Sequence, residues 1–174
     1  MHATTTPRTL ARTLRRSVRF IPILGALALA TTGVVLATPG SGLTTTNVSV
    51  GRFDEIAVHT HVDGHKASVR TKGASDIHVV SNVFEPGGQT GWHTHPGPSL
   101  ITVKSGTITV YDGHDPTCTP TVYPAGSGFL DPGDGHVHVL RNEGTTAAET
   151  IAVQILPQGA VRRIDAPDPG FCDF

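Results

Sequence analysis

The sequence has no window with the apolar periodicity of a long amphipathic helix. Its 20 glycines and 13 prolines are spread evenly along 174 residues, which interrupts the chain too often for a helical bundle. Disorder is excluded as well, because apolar runs recur throughout the sequence after residue 50. No Ser-His-Asp hydrolase signature is present. The length suits one globular domain without long helices.

The main part of the chain also lacks an excess of positive charge. The overall net charge is −1, but five of the 13 basic residues precede position 20, in a stretch without Asp or Glu. From residue 38 onward, 8 basic residues stand against 14 acidic ones, which makes this part acidic with a net charge of −6. Nucleic acids are therefore not expected as partners.

The N-terminal segment has the pattern of an export signal. Residues 1–19 are rich in Arg and Thr, and Phe20 to Ala37 is an uncharged apolar run of 18 residues. A basic start, an apolar stretch and small residues at its end predict a signal peptide over residues 1–37, cleaved after Ala37 or, as a second choice, after Ala30. The alternative is an uncleaved membrane anchor, because a spanning helix needs ~17–25 residues. We expect a secreted or cell-envelope protein.

Only two cysteines are present, Cys118 in a Pro/Thr-rich loop and Cys172 close to the end. Two cysteines in an exported chain most simply form a disulfide. Two free thiols or a metal site are the alternatives. We predict the disulfide.

Residues 38–50 are polar and without periodicity, which predicts a linker before a domain over residues 51–174. The domain shows short β-type runs separated by turn pairs such as Asp63-Gly64 and Glu143-Gly144. Many short strands spaced by Gly and Pro predict an all-β sandwich, barrel or jelly roll. The predicted strands are Ile56–Val62, Ala67–Thr71, Ile77–Phe84, Leu100–Val103, Thr107–Tyr111, Thr121–Tyr123, His136–Leu140 and Ile151–Leu156.

Nine histidines lie in this domain, and six of them form pairs with a spacing of two: His59/His61, His93/His95 and His136/His138. Residues two apart on a strand point to the same face, so each pair can present two imidazoles to one point. Imidazole is a favoured ligand of Zn, Cu, Fe and Ni. For His59/His61 we expect an exposed strand, because no glycine-rich approach precedes them.

Gly87, His93, His95, Ser99 and Gly106 stand at the spacings of the first motif of the cupin superfamily, with Ser99 in the position of a glutamate. The chain thus resembles this superfamily.

The second cupin motif is similar to Gly126, Pro132, Gly135, His138 and Asn142, with one extra residue between Pro132 and Gly135. The resemblance covers roughly residues 80–156, and two motifs in the right order are more specific than one His-x-His alone. It implies a small, single-domain jelly-roll β-barrel. It also implies that two chains can pair as a homodimer, for which the sequence itself carries no sign.

The resemblance further implies one divalent transition metal, Fe, Mn, Zn, Ni or Cu, held by His93, His95 and His138. The family's carboxylate ligand is missing. Strand alternation directs Ser99, Ile101 and Val103 inward, but a neutral hydroxyl is a poor ligand of a divalent ion. The candidates for a fourth metal ligand, or for a residue that hydrogen-bonds to one of the ligands, are His136, Gln89 and Ser99. Metal-free core histidines are the competing interpretation.

No catalytic residue beyond the ligands is identified. Glu85, Asp131 and Asp134 can serve as a general base, but acids in turns usually face water. Trp92 is expected to pack on the outside of the barrel. The first function hypothesis is an exported protein that binds one divalent metal and acts on, or binds, a small organic molecule, an anionic one being favoured. If it is an enzyme, a metal-dependent dioxygenase is the first class, followed by an isomerase or lyase. The second is a non-catalytic small-ligand or metal-binding protein of the cell envelope.

Overall fold

A computed structural model describes residues 1–2 and 39–174 of the chain. The predicted signal peptide over residues 1–37 and its cleavage sites lie, apart from the first two residues, outside the described part. Among the described residues, no helix has the length and apolarity needed to cross a membrane.

Residues 39–174 contain no α-helix, and every pairing between their strands is antiparallel. The strands are β1 Ser41–Phe53, β2 Ala57–Val62, β3 His65–Arg70, β4 Ser75–Gln89, β5 His93–Thr94, β6 Ser99–Ser105, β7 Thr107–Asp112, β8 Thr121–Pro124, β9 Gly128–Asp131, β10 His138–Arg141, β11 Ala148–Pro157 and β12 Ile164–Asp165. Each of the eight predicted strands overlaps one of these.

Ten of the strands form one sheet that curls into a nearly closed barrel. Its main path runs β12-β5-β10-β4-β11-β6-β9, while β1 pairs with β4, and β7 pairs with β10 and β8. Strands β2 and β3 form a separate hairpin. The prediction of an all-β jelly-roll barrel is confirmed.

The predicted linker over residues 38–50 is wrong for most of its length. Strand β1 occupies Ser41–Phe53 and pairs with β4 from Ser41 opposite Gln89 to Phe53 opposite Ser75. Nearly all side chains of β1 are exposed, so the strand has no buried apolar face to mark it in the sequence. Backbone pairing with β4 stabilises it, and backbone pairing leaves no periodic signal.

The barrel interior follows the predicted alternation on β6, where Ser99, Ile101 and Val103 are buried and their neighbours are exposed. Val103 packs with Phe84 and Ile108, both fully buried, in the largest apolar cluster. Burying each of these side chains contributes about 1.5–3 kcal/mol. The apolar cluster therefore supports one end of β6, and Ser99 lies at its other end.

The C-terminal segment is attached to the outside of the barrel. Cys118 and Cys172 form the predicted disulfide. The ring of Phe174 stacks on Trp92 with a centroid separation of 6.3 Å. As expected, Trp92 packs outside the barrel interior, among Tyr111, Val139 and Ala166. It is nevertheless only 1% exposed, because the C-terminal segment covers it.

Candidate metal centre

Two neighbouring strands bring three buried histidines together. His93 begins β5 and His95 directly follows it, and His138 begins β10, where it lies directly opposite His93. All three are at most 6% exposed, and one ring nitrogen of each lies within 4.8 Å of those of the other two. This triad is the ligand set that the sequence predicts, and metal binding by it remains a prediction.

The hydrogen bonds of the triad orient each ring. In all three histidines Nδ1 faces a backbone carbonyl and donates its proton to it. The acceptors are the carbonyl oxygens of Gly91 for His93 (2.9 Å), Arg162 for His95 (2.6 Å) and His136 for His138 (3.4 Å). A proton on Nδ1 leaves the lone pair on Nε2, and this is how proteins hold histidine ligands of metals.

Burial lowers the pKa of all three imidazoles. Desolvation, only partly offset by Asp131, lowers the pKa of His138 to about 4. Burial and the neighbouring His138 hold the pKa of His93 far below its ordinary value. Burial also lowers the pKa of His95. The three rings are therefore neutral at pH 7, the state in which imidazole binds a metal.

Asp131 is a component of this site that sequence reasoning underestimated. The expectation that it faces water as a turn acid is wrong, because it is only 3% exposed. It ends β9 and lies directly opposite Ser99 on β6. Residues opposite each other in an antiparallel pair point to the same face of the sheet. A carboxylate thus occupies the strand next to the position where the cupin motif places its glutamate.

The two oxygens of Asp131 have different surroundings. Oδ1 accepts a hydrogen bond from the backbone nitrogen of Gly133 at 3.0 Å and lies 3.6 Å from Nδ1 of His138. Oδ2 is buried without a hydrogen-bond partner and lies 3.9 Å from Nε2 of His95. A buried carboxylate oxygen without a partner is costly. Beside three neutral imidazoles it fits a site for a cation.

The three candidates for a fourth ligand differ in position. Ser99 is 1% exposed and lines the pocket, where its Oγ accepts a hydrogen bond from Nε2 of Gln154 at 3.2 Å. His136 is one-third exposed and turned toward the surface. Gln89 does not line the pocket, and its Oε1 accepts from Nη1 of Arg141 at 3.4 Å. His136 shares a cluster of ligand atoms with Asp131 and His138, but not with His93 and His95.

The pocket also contains residues that the sequence did not indicate. Gln154 is 2% exposed, and its Oε1 accepts a hydrogen bond from Nη1 of Arg162 at 3.3 Å. Arg162 and Arg163 follow the last long strand and line the pocket beside the triad. Apolar side chains such as Ile101 and Leu140 complete its wall. The arrangement is a small cavity with neutral imidazoles and two guanidinium groups.

A comparison with protein families identifies the domain. Residues 82–154 match the family model described as the cupin domain. The matched residues form a cupin domain. The extra residue between Pro132 and Gly135 in this cupin domain forms a turn in which Gly133, Asp134 and Gly135 all have positive φ. Asp134 donates its backbone N–H to the carbonyl of His95, so the turn is tied to β5 and its histidines.

Several solved structures are similar to part of this chain. An oxalate oxidase in complex with the substrate analogue glycolate is 26% identical, with 45% of this chain and 41% of that chain covered and a TM-score of 0.40. A protein with a double-stranded β-helix domain from Klebsiella pneumoniae is 24% identical over 65% and 84%, with a TM-score of 0.45. The polyketide cyclase RemF from Streptomyces resistomycificus is 14% identical over 78% and 81%, with a TM-score of 0.49. No curated protein sequence matches the chain.

Proposed function

We propose that this cupin domain holds one divalent transition metal on His93, His95 and His138 and presents it to a small anionic organic molecule. The observation that carries the proposal is the convergence of three buried, neutral imidazoles, each with Nδ1 directed at a carbonyl. Nitrogen ligands suit Fe, Zn, Ni and Cu, and a nearby carboxylate also suits Mn. When bound, the ion supplies a Lewis acid with open coordination positions.

The arginines support an anionic ligand. Arg162 is half-buried, and burial lowers the pKa of its guanidinium, with a further contribution from Arg163. A guanidinium nevertheless stays charged in proteins. Two positive charges beside the same cavity favour a carboxylate-bearing molecule, which can accept charge-assisted hydrogen bonds from Arg162. Arg163 is paired with the carboxylate of Asp165 at 2.6 Å, whereas Arg162 donates to the neutral amide of Gln154 at 3.3 Å, so the charge of Arg162 is the less compensated of the two.

The reaction that we favour is metal-dependent dioxygenation of a small organic acid, with an isomerase or lyase reaction next. The chain positions the substrate through Arg162, holds the three ligand rings through backbone carbonyls, and restricts water by burying the triad. The support for this class is the three-histidine site with open positions, which is an analogy at the level of the site.

A non-catalytic role as a small-ligand or metal-binding protein is the second candidate. One observation favours it: among the described residues that line the pocket, the only titratable groups are the triad, Arg162 and Arg163. None of them is a free general acid or base once the triad holds a metal. Bound metal and a bound anion without turnover would support this role.

We also propose that the protein works outside the cytosol. The support is the disulfide between Cys118 and Cys172, because such bonds persist in oxidising compartments. The chain would reach that compartment through the predicted signal over residues 1–37.

Elemental analysis of the purified chain tests the metal. We expect about one equivalent of a transition metal on His93, His95 and His138, which we call the inner site, and its loss in a His93→Ala/His95→Ala variant. His59→Ala/His61→Ala is the matched control, because these residues have the same spacing but lie on the exposed hairpin of β2 and β3. A His93/His95 variant that binds as much metal as the wild type, or a folded wild type that binds none of the offered transition ions, would refute the proposal.

A further inference from the structure

A second group of ligating side chains lies outside the pocket. Asp112, His114 and His136 each contribute an atom to a cluster whose members are within 4.8 Å of one another. Oδ1 of Asp112 is 3.3 Å from Nδ1 of His114, and Oδ2 is 3.4 Å from Nε2 of His136. The side chains of Asp112, His114 and His136 are 47%, 62% and 33% exposed, so the cluster is open to solvent.

The backbone brings these side chains together from two separate segments. Asp112 ends β7, where it lies opposite His138 on β10. The next residue, Gly113, donates its N–H to the carbonyl of Val137 at 2.8 Å, which holds the His114 turn against the segment that carries His136. A Cβ on Gly113 would lie 2.9 Å from a side-chain carbon of Val137. The close approach of the two backbones therefore fixes the spacing of the cluster.

The separations within the cluster suit a coordination sphere, while Oδ1 of Asp112 also forms a long hydrogen bond with Nδ1 of His114 and accepts the backbone N–H of His114 at 2.8 Å. Charge-assisted N–H to carboxylate bonds are usually ~2.7–2.9 Å long, shorter than the two contacts of Asp112 with the imidazoles. Two ligand atoms that are each ~2.1 Å from a tetrahedral zinc ion lie about 3.4 Å apart. Two imidazoles and one carboxylate are also a common set of protein ligands for zinc.

Asp131 lies next to His136 on the side away from Asp112. Nδ1 of His136 is 3.3 Å from Oδ1 of Asp131 without forming a hydrogen bond, while Nε2 is 3.4 Å from Oδ2 of Asp112. A carboxylate behind a ligating imidazole selects the tautomer with the proton on the far nitrogen and the lone pair toward the metal. The same Oδ1 lies 3.6 Å from Nδ1 of His138 in the inner triad. Asp131 thus lies next to one histidine of the outer cluster, His136, and one histidine of the inner triad, His138.

We propose that Asp112, His114 and His136 form a second divalent-metal site, suited to Zn²⁺, on the surface next to the inner triad. The exposed side of the cluster leaves the fourth position to water. The site requires nothing from the pocket arginines and does not depend on the function proposed for the inner triad.

Zinc titration of the full chain, stripped of metal and followed by calorimetry and equilibrium dialysis, tests the second site. All chains carry His59→Ala/His61→Ala, so that the exposed hairpin cannot add bound zinc. We expect two equivalents in this parent, one when His114→Ala is added and one when His93→Ala/His95→Ala is added. His114 is suited to substitution because it is mostly exposed and belongs to a surface turn.

A histidine-selective NMR spectrum provides the second readout. Zinc bound at the outer site shifts the ring resonances of His114 and His136, and it does so in the His93/His95 variant as well. If His114→Ala binds as much zinc as the parent, or if those two rings do not respond to zinc, the second site is refuted and Asp112 forms only ion pairs with its neighbours. If instead the His93/His95 variant keeps the full stoichiometry, the inner site fails while the outer one stands.

Discussion

Acidification should destabilise the metal-free protein through the buried triad. His138 titrates near pH 6.5 in the unfolded chain and has a pKa of about 4 in the folded protein. Between these two pH values the unfolded state binds more protons than the native state, so the free energy of unfolding falls as the pH falls. One pKa unit corresponds to about 1.4 kcal/mol, so His138 alone accounts for about 3 kcal/mol. The lowered pKa values of His93 and His95 act in the same direction.

The sign and the window of this effect are specific. Stability from this source is complete above pH 6.5 and is lost progressively down to about pH 4 for His138. Urea unfolding of the chelator-treated protein, with the disulfide intact, measures the loss at pH 7.5, 6.5, 5.5 and 4.5. A saturating metal should move the loss to lower pH, because the ion competes with protons for the same nitrogens, and it adds about 2.7 kcal/mol at a concentration of 100 Kd.

Two variants separate the triad from the carboxylates that also titrate in acid. His138→Gln should reduce the difference in stability between pH 7.5 and pH 4.5 by about 2.5 kcal/mol, whatever its effect at neutral pH. His59→Gln, on the exposed β2, should keep the wild-type difference. Equal pH dependence in wild type and His138→Gln would show that the triad is not held neutral by burial, and the reasoning would fail.

Two further predictions concern the C-terminal segment and the pocket. Cys118→Ser/Cys172→Ser should lower the free energy of unfolding by about 4 kcal/mol on the loop-entropy model, because the disulfide joins residues that are 54 positions apart. Equal midpoints of urea unfolding for the variant and the wild type would contradict this prediction. Arg162→Gln should weaken the binding of acetate to the metal-loaded protein, measured by calorimetry, by roughly tenfold or more. This corresponds to the loss of a charge-assisted hydrogen bond of about 1.5–3 kcal/mol. The control variant Arg52→Gln, on the exposed β1, should leave the affinity for acetate unchanged.

Much of the barrel could be predicted because its strands carry either alternation or turn signals. On β6 every second residue is buried, and the turn at Gly106 ends the pattern. Strand β1 could not be found in this way, since its side chains are exposed on both faces. The two-residue strands β5 and β12 are too short to show a period, and they are defined by pairing with each other.

The inner triad was accessible to sequence reasoning because its spacing is local. His93 and His95 lie two apart, and a motif places His138. Arg162 and Gln154 had no such signal, because they reach the site through long-range pairing of β11 with β6 and of β12, just after Arg162, with β5. Gln154 reaches the pocket because it lies opposite Ser99 in the β11–β6 register. A strand register of this kind depends on the whole sheet, so no short stretch of sequence predicts it.

The same pairing shows which residue can replace a glutamate on β6 in the proposed metal site. Ser99 has Gln154 on one side and Asp131 on the other, and its hydroxyl already accepts the amide of Gln154. The negative charge is therefore on β9, where Asp131 faces the rings of His138 and His95 at 3.6 and 3.9 Å. A carboxylate at that distance offsets part of the charge of a bound cation, while the small side chain of Ser99 leaves space in the pocket. That space lies among the same lining residues as Arg162, so an incoming anion would meet both the metal and a guanidinium.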